Sequence, residues 1–320
     1  MKTNTLFTML TSAILGSFAA VPAAAQDIVK IAALPYMSQG IISIGITEGY
    51  FEAEGITVEL IKMRRPSGIL PGLMSGNIDL ALPVLSAGYF NAISRGGGAR
   101  IVAPGVTFDP GKCDYAVIYG RKEFSREAIA STDGQDIRIS STPDSFQEYA
   151  VRFLNDLPNV GEHNMEFGFV PPHSLADAFK NAALDMALTS EPWITRLDAA
   201  NVGQVVTGMA EVLPNAQFTF LVFSKRLLEE DPDLGIRAKR AMDAAIVTYN
   251  QGKTAQNIEA LADYTGLDAD LVEQACWAHF PVDGEVHMPT VMAFQAWLKE
   301  RGLVDEILPA EKFLATVPTK

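Results

Sequence analysis

One short pattern occurs twice in this chain, and it constrains the possible folds more than any other feature. Residues 73–82 read LMSGNIDLAL and residues 179–188 read FKNAALDMAL, so both segments end in Asp, an apolar residue, Ala and Leu. The two Asp residues lie 106 positions apart, and the same offset superposes the apolar run 137–140 on 31–34. Two similar units of alternating strands and helices predict two α/β lobes that face each other across a cleft, where small molecules bind. Short matches also arise by chance, and this alternative stays open at the level of sequence.

The N-terminus predicts export from the cytoplasm. Lys2 precedes an apolar run from Leu6 to Val21, and residues 23–25 supply a small-residue cleavage site. This arrangement is typical of a secretory signal peptide over residues 1–25. The run is too short and too rich in Ser and Thr to span a membrane, and no Cys follows the cleavage site to carry a lipid. We therefore expect a periplasmic protein that is secreted through a cleavable signal peptide and is not lipid-anchored.

Charge and cysteine content narrow the class of protein. The formal net charge of −13 over 320 residues argues against nucleic acid as a partner, because phosphates require a basic surface. About 295 residues remain after the predicted cleavage, which is enough for two domains with cores of their own. The two cysteines, Cys113 and Cys276, would meet an oxidising compartment, so a disulfide and two buried thiols are both compatible with the sequence.

The order of apolar runs predicts the domain organisation. Strand-like runs alternate with helix-like runs in both units of the repeat, which predicts parallel sheets covered by helices. Two further strand-like runs, Tyr115–Tyr119 and Gln217–Phe223, are predicted to cross between the lobes, and the segment after them is predicted to be helical. The first lobe is therefore discontinuous and comprises residues 26–116 and 218–320, and the second lobe comprises residues 117–217.

Ligands of a parallel α/β sheet bind beyond the carboxyl ends of the strands, so the loops at those ends supply the candidate ligand-binding residues. In the first lobe they are Tyr36, Met37, Ser38, Arg64, Arg65, Pro83, Val84 and Ser86. In the second lobe they are Thr142, Asp144, Ser145, Phe146, Phe169, Glu191 and Trp193. The aromatic members suit stacking on a ring of the ligand, although such residues also serve as core.

Two of these segments carry features that suit an anion. Arg64 and Arg65 form the only arginine pair in a predicted cleft loop, and a guanidinium binds oxyanions through two parallel hydrogen bonds. Residues 142–145 begin a predicted helix, where hydroxyl and free backbone N–H groups suit a carboxylate, sulfonate or phosphate. A solvated charge pair and an ordinary helix cap are the respective alternatives. We predict from these residues a ligand with a negative group.

Glu191 suggests a second polar contact. It follows the third strand of the second unit, and a carboxylate in a cleft wall suits an amine or an aminopyrimidine on the ligand. Together with Arg64 or Arg65, it predicts a zwitterion or a heterocycle with donor and acceptor edges. The alternative is a structural carboxylate that caps a helix or pairs with Arg196.

No residue pattern predicts catalysis. The four histidines lack metal-ligand spacing, and the chain has no G-x-S-x-G motif, no P-loop and no G-x-G-x-x-G motif. The two cysteines are too far apart in sequence for a zinc knuckle. We therefore predict no catalytic residue, no metal and no cofactor.

The chain also resembles a known family. The matching stretches are Thr47–Phe51, Glu54–Glu59, Ser75–Asp79, Glu191–Trp193, Asp231–Asp233 and Tyr264–Leu267, and together they span nearly the whole mature chain. On these motifs it is similar to the periplasmic substrate-binding proteins of ABC importers for nitrate, sulfonates, taurine and thiamine-pyrimidine precursors. The resemblance implies an α/β periplasmic binding protein fold of type II, in which two parallel-sheet lobes are joined by two hinge strands and close around one small molecule. Two departures are Ala182, where the first repeat has Gly76, and Arg64-Arg65-Pro66, where many relatives have a Gly- and Ser-rich segment.

The resulting prediction is a transport receptor. It captures a small polar or anionic organic molecule, which is sulfonate-, taurine- or pyrimidine-like, and delivers it to the membrane permease of an ABC transporter with its ATPase. We expect a monomer without enzymatic activity. The alternatives are an enzyme of the same fold that makes the thiamine pyrimidine, and a ligand-sensing partner of a signalling receptor.

Overall fold

The computed structural model describes residues 26–63, 65–131, 134–158, 160–282 and 284–318. The predicted signal peptide and Arg64 lie outside the described residues. Within these ranges, no helix is both long enough and apolar enough to cross a membrane.

Strands and helices alternate along the described chain. The strands are β1 (Asp27–Ala33), β2 (Ile56–Lys62), β3 (Leu80–Ala81), β4 (Arg100–Pro104), β5 (Ala116–Arg121), β6 (Asp136–Ser140), β7 (Asn164–Gly168), β8 (Met186–Ser190), β9 (Gly203–Gly208) and β10 (Phe220–Phe223). The α-helices are α1 (Gly40–Thr47), α2 (Tyr50–Ala53), α3 (Ile69–Ser75), α4 (Ala87–Ser94), α5 (Arg126–Ala130), α6 (Phe146–Arg152), α7 (Leu175–Lys180), α8 (Trp193–Ala199), α9 (Met209–Val212), α10 (Pro232–Tyr249), α11 (Ala255–Thr265), α12 (Ala269–Gln274), α13 (Met288–Glu300) and α14 (Ala310–Phe313). The helices that precede β10 are short, so they depend on packing against the sheets rather than on intrinsic helix stability.

The strands form two five-stranded sheets of the same design, one in each lobe. The first has the order β2-β1-β3-β10-β4, and the second has the order β7-β6-β8-β5-β9. The prediction of an α/β fold with two lobes is confirmed. The sheets are mixed rather than wholly parallel, because β10 and β5 run antiparallel to both of their neighbours. Each of these two strands arrives from the other lobe, so it enters its sheet at the carboxyl ends of the parallel strands and runs in the opposite direction.

Two segments cross between the sheets and pair with each other. Residues 105–115 lead from β4 to β5, and residues 209–219 lead from β9 to β10. They run antiparallel, with Phe218 N donating to Val106 O at 2.7 Å. The apolar runs that predict the crossings from sequence lie mostly inside β5 and β10, so the crossings themselves lie earlier in the chain than predicted. The lobe boundaries at 116/117 and 217/218 stay a prediction.

The two Asp residues of the sequence repeat have equivalent roles in the two sheets. Asp79 N donates to Lys30 O at 2.8 Å, and Asp79 Oδ2 accepts a hydrogen bond from Lys30 N at 2.9 Å. Asp185 makes the same two contacts with the backbone of Arg138, both at 3.0 Å. Burial alone would raise the pKa of Asp185, but hydrogen bonds from Arg138 and Arg121 outweigh that effect and lower the pKa. These carboxylates therefore tie the strand that follows each Asp to the central parallel strand of its sheet.

The offset between equivalent residues of the two units is 106 positions in the third strand of each unit but 108 positions in the first strand. Ile31 pairs with Leu80, and Ile139 pairs with Met186, so the residue equivalent to Ile31 lies 108 positions later rather than 106. The first unit has two more residues between these strands. The departure at Ala182 leaves the backbone shape unchanged, because its φ of 49° is left-handed like the φ of 74° at Gly76.

The C-terminal helices pack on the first lobe and also contact the second. Phe294 of α13 packs against Phe90 of α4, with ring centroids 6.1 Å apart, and against Phe146 of α6, with centroids 5.4 Å apart. Cys113 and Cys276 form a disulfide that ties the first crossing to the segment after α12. The pairing that the sequence leaves open is therefore present in the structure.

Candidate ligand-binding site

A cavity of about 350 Å³ lies between the two lobes. The loops after β1 and β3 contribute to it from the first lobe, and the loop after β6 and the end of β8 contribute from the second. These are carboxyl ends of parallel strands, where the topology of the chain predicts a ligand. A volume of this size lies in the range of about 300–1,000 Å³ that is usual for small-molecule sites.

The two walls of this cavity differ in chemistry. The wall from the first lobe is mainly apolar, and its apolar side chains are Leu34, Tyr36, Pro66, Ile69, Leu70, Pro71, Leu73, Leu82, Pro83, Val84, Leu85 and Tyr89. The wall from the second lobe is mainly polar and consists of Thr142, Pro143, Asp144, Ser145, Gln147 and Ser190. Among the described lining residues, the exposed Asp144 is the only charged one.

The starts of helices α4 and α6 meet at the cavity and hydrogen-bond to each other. Ala87 N donates to Asp144 O at 2.8 Å, and Phe146 N donates to Leu85 O at 2.9 Å. The two lobes are therefore joined directly by their backbones at this edge of the cavity.

The backbone donors at the start of α6 are engaged within the protein. Thr142 N donates to Gln147 Oε1 at 2.9 Å, and Asp144 N donates to Glu148 Oε2 at 2.8 Å. Gln147 N donates to the capping hydroxyl of Ser145 at 3.1 Å. Because these N–H groups already have acceptors, the helix start resembles the ordinary cap that the sequence left as an alternative, and an anion would compete with internal hydrogen bonds.

The structure brings just over half of the predicted site residues to the cavity. Tyr36, Ser38, Pro83, Val84, Ser86, Thr142, Asp144 and Ser145 line it. Phe169 lines a small pocket that adjoins it. Their contacts with a ligand stay a prediction, and Arg64 lies outside the described residues.

Three predicted site residues are buried away from the cavity, and packing explains each case. Met37 is fully buried in the first-lobe core. Phe146 faces Phe294 rather than the cleft, because its helix packs on α13. Trp193 donates from Nε1 to Pro35 O at 3.0 Å and so joins the lobes. The three residues are therefore outside the lining of this cavity, and their predicted contact with a ligand stays a prediction.

Arg65 lies outside the residues that line the cavity, and the predicted ligand contact of Arg64 or Arg65 stays a prediction. Its side chain is exposed, and its guanidinium carbon lies 5.8 Å from the centroid of the Phe169 ring in the opposite lobe. A guanidinium is attracted to an aromatic face at this distance. Arg65 therefore contributes a contact between the lobes.

Glu191 lies outside the residues that line the cavity and makes hydrogen bonds within the protein. Its side chain is buried, and its oxygens accept hydrogen bonds from Thr195 N and Thr195 Oγ1 at 3.1 Å and from Cys276 N at 3.3 Å. The contact with Thr195 caps the start of α8, which is the alternative role that the sequence left open for Glu191. The contact with Cys276 links Glu191 to the C-terminal segment. Burial raises the pKa of Glu191, partly offset by these hydrogen bonds.

We expect Glu191→Gln to remove a pH dependence of stability. Because its pKa is raised on folding, the folded carboxyl keeps a proton above pH 4.5, where the unfolded carboxyl has lost it. Unfolding then releases a proton, so the free energy of unfolding of the wild type falls as the pH rises through this window. Gln stays neutral, so the melting temperature of the variant should rise relative to that of the wild type as the pH increases above about 4.5. The test is the melting temperature of both proteins as a function of pH. A constant difference between the two melting temperatures over this pH range would contradict a raised pKa of Glu191.

Several cavity residues escape prediction from the sequence. Tyr115 lies at the end of the first crossing, and its buried hydroxyl donates to Ser38 Oγ at 2.7 Å. Burial raises the pKa of Tyr115. Helix α3 supplies four apolar residues to the first-lobe wall. The apolar sequence of α3 could have predicted its place in the cavity wall. The position of Tyr115 could not be predicted, because it depends on how the two crossings pair.

Within the described residues, the site holds no recognisable catalytic or metal-binding group. No cluster of three His, Cys, Asp or Glu side chains is arranged to hold a metal ion. No histidine lines the cavity, and both cysteines are in the disulfide. The arrangement suits capture of a molecule through shape and hydrogen bonds.

Comparisons with known proteins identify the fold. No protein-family model matches the chain, and no curated protein matches it. Among solved structures, it is similar to the ligand-binding component of an ABC-type import system from Staphylococcus aureus, with 16% identity, a TM-score of 0.76 and coverage of 92% of this chain and 100% of that one. The alkanesulfonate-binding protein from Xanthomonas axonopodis has 16% identity and a TM-score of 0.69, with coverage of 92% and 100%.

An enzyme shares the same architecture. A desulfurization enzyme has 14% identity and a TM-score of 0.63, with coverage of 91% of this chain and 97% of that one. Identities this low establish the fold alone. The chain therefore has the two-lobed fold of periplasmic binding proteins, as the resemblance in sequence implies.

Proposed function

We propose that this chain is an extracytoplasmic solute-binding protein, which captures a small organic molecule between its lobes and delivers it to the permease of an ABC importer. The observation that carries this proposal is the cavity of about 350 Å³, which both lobes line. Similar folds in named components of ABC-type import support the proposed partner.

The location and the partner follow from the same proposal. A cleavable signal peptide over residues 1–25 would place the protein in the periplasm, and the disulfide suits that oxidising compartment. The proposed partners are the small molecule and the membrane permease with its ATPase, and the proposed state is a monomer. Of the sulfonate-, taurine- and pyrimidine-like ligands that the resemblance implies, the anionic ones lack a cationic partner among the described lining residues.

The second candidate function is an enzyme of the same fold, and the desulfurization enzyme is the observation in its favour. The two functions make opposite predictions about the fate of the ligand. A solute-binding protein returns it unchanged, whereas an enzyme returns a product. The sensing alternative predicts unchanged ligand too, and it is distinguished by capture of a receptor rather than a permease.

We expect the purified protein to remove one small molecule from a metabolite extract and to release it chemically unchanged. The experiment equilibrates the protein with the extract, washes it, denatures it and identifies the released molecules by mass spectrometry. Protein unfolded before mixing is the control for nonspecific adsorption. Recovery of a product in place of the captured molecule would favour the enzyme, and no enrichment over the unfolded control would refute solute binding.

A further inference from the structure

A second, much smaller pocket adjoins the main cavity, and residues that line it have buried hydroxyl groups without partners in the described chain. Its volume is about 20 Å³, and it shares Tyr36, Gln147, Ser190 and Phe218 with the lining of the main cavity. A volume above about 10–15 Å³ is enough for a water molecule or for one polar group of similar size. The two spaces together form a roomy outer chamber and a narrow inner end, which we term the inner pocket.

Two residues of the second lobe that line the inner pocket have a hydroxyl group without a hydrogen-bond partner among the described residues. The two hydroxyl groups are Ser141 Oγ and Thr189 Oγ1. Ser141 is 2% exposed and Thr189 is 5% exposed. A buried hydroxyl without a partner is costly, so two of them on residues that line one pocket favour a polar occupant. Both groups are uncharged and are able to donate and to accept.

The described lining offers a charged occupant no ionic partner beyond one exposed carboxylate. No described lining residue of either space is a cation, and the one carboxylate, Asp144, is exposed. The backbone donors at the start of α6 are already engaged. A buried charge without a partner is strongly disfavoured, whereas a neutral group needs only the hydrogen bonds that hydroxyls supply.

We propose that the ligand is a mainly apolar organic molecule with one uncharged hydrogen-bonding group, such as a hydroxyl or a carbonyl, which occupies the inner pocket beside Ser141 and Thr189. Its apolar body contacts the first-lobe wall, where Leu70, Leu73 and Val84 lie. The main cavity holds on the order of a dozen groups the size of a water molecule, since each fills about 30 Å³. A bicyclic aromatic or a branched aliphatic body of that size fits.

This inference rests on the proposed function, and a matched series of probes tests it. The probes are naphthalene, 2-naphthol, 2-naphthalenesulfonate and protonated 2-naphthylmethylamine, which share one apolar body and differ in the polar group. Equilibrium dialysis at constant ionic strength gives the four dissociation constants. We expect 2-naphthol to bind about tenfold more tightly than each of the other three, because only it supplies a neutral partner to the buried hydroxyls.

Two variants locate the effect in the inner pocket. Thr189→Val keeps the shape of the side chain and removes the hydroxyl, and Ser141→Ala removes the other hydroxyl. We expect the double variant to lose most of the roughly tenfold preference for 2-naphthol over naphthalene while its affinity for naphthalene stays the same. Ser67→Ala is the matched control, because Ser67 lines the main cavity and not the inner pocket. Far-ultraviolet circular dichroism and melting temperature confirm that each variant is folded.

The outcomes separate the ligand class from the proposed function. Tightest binding of the sulfonate or the ammonium probe, or binding of none of the four, would overturn the proposed ligand class. An unchanged preference in the double variant would overturn the role of the inner pocket. The extract experiment is independent of these probes: an enriched anion there would leave solute binding intact and refute the neutral ligand, and absence of any enriched molecule would refute solute binding itself.

Discussion

Removal of the disulfide between Cys113 and Cys276 is expected to lower the free energy of unfolding by about 2–5 kcal/mol and the melting temperature by roughly 5–15 °C. The bond joins residues that are 163 positions apart, so it closes a loop that contains the whole second sheet and β10. A cross-link restricts the unfolded chain more strongly when the loop is long. A loop of this length therefore favours the larger losses within that range.

The position of the disulfide adds a local effect. Cys113 lies on the first crossing, and the backbone N–H of Cys276 donates to Glu191 in the second lobe at 3.3 Å. The bond thus holds the C-terminal segment against both the crossing and the second lobe. When the disulfide is removed, we expect amide hydrogen exchange to accelerate more at residues 275–280 than in β1, which is distant from the bond in sequence.

Thermal and urea unfolding with and without dithiothreitol test the disulfide, because Cys113 is exposed and accessible to the reductant. The double variant Cys113→Ser, Cys276→Ser should match the reduced wild type. Reductant should have no effect on that variant, which controls for effects unrelated to the bond. Two titratable thiols in freshly purified, unreduced protein, or equal stability of the oxidised and reduced forms, would contradict the expectation.

The sequence predicts the fold well because the two units repeat short-range features. The Asp that precedes β3 and the Asp that precedes β8 each bond the backbone of the neighbouring strand, and this requirement leaves a visible Asp-apolar-Ala-Leu pattern. The rule that ligands lie beyond the carboxyl ends of strands depends only on strand order. It therefore places loop residues such as Tyr36, Val84 and Thr142 at the cavity without further information.

The chemistry of the site depends on contacts that the sequence cannot show. The start of α6 looks like an anion site until Phe146 N is seen to donate to Leu85 O in the other lobe. Arg65 looks like a ligand contact until its guanidinium is seen beside Phe169. In each case, the partner lies on a distant part of the chain, and pairing between lobes decides whether a polar group is free. A sequence shows which groups are present but not which of them are already engaged.

The contact between α6 and α13 has a consequence for movement between the lobes. Rings of α6 pack on rings of α13: Phe146 and Tyr149 lie 5.4 and 5.5 Å from Phe294 between centroids. Arg301 pairs with Glu148 beside them at 3.1 Å. A large apolar interface opposes relative motion of domains. Opening of the cleft, the reverse of the hinge closure that the resemblance implies, would therefore separate these aromatic rings, and we expect the lobes to move less than in a protein with a polar cleft edge.

Phe294→Ala is expected to cost about 3–5 kcal/mol in stability and also to loosen the lobes. Phe294 is fully buried and contacts aromatic rings of both lobes, so its removal leaves a cavity at the interface itself. Phe313→Ala is the matched control, since Phe313 is equally buried and packs on Phe90 of the first lobe at 5.7 Å. Both variants should lose similar stability, which urea unfolding measures.

Only the Phe294 variant should differ in shape and in binding. Small-angle scattering is expected to give it a larger radius of gyration than the wild type and the Phe313 variant, because the lobes lose their apolar contact. Its affinity for a probe that fills the cavity should also fall. The probe then has to close the lobes as well as bind, and the free energy of closing the lobes reduces the net free energy of binding. If the two variants give superimposable scattering curves and equal affinities, the aromatic contact stabilises the core alone, and the lobes are held together by the disulfide, the paired crossings and the backbone hydrogen bonds between α4 and α6.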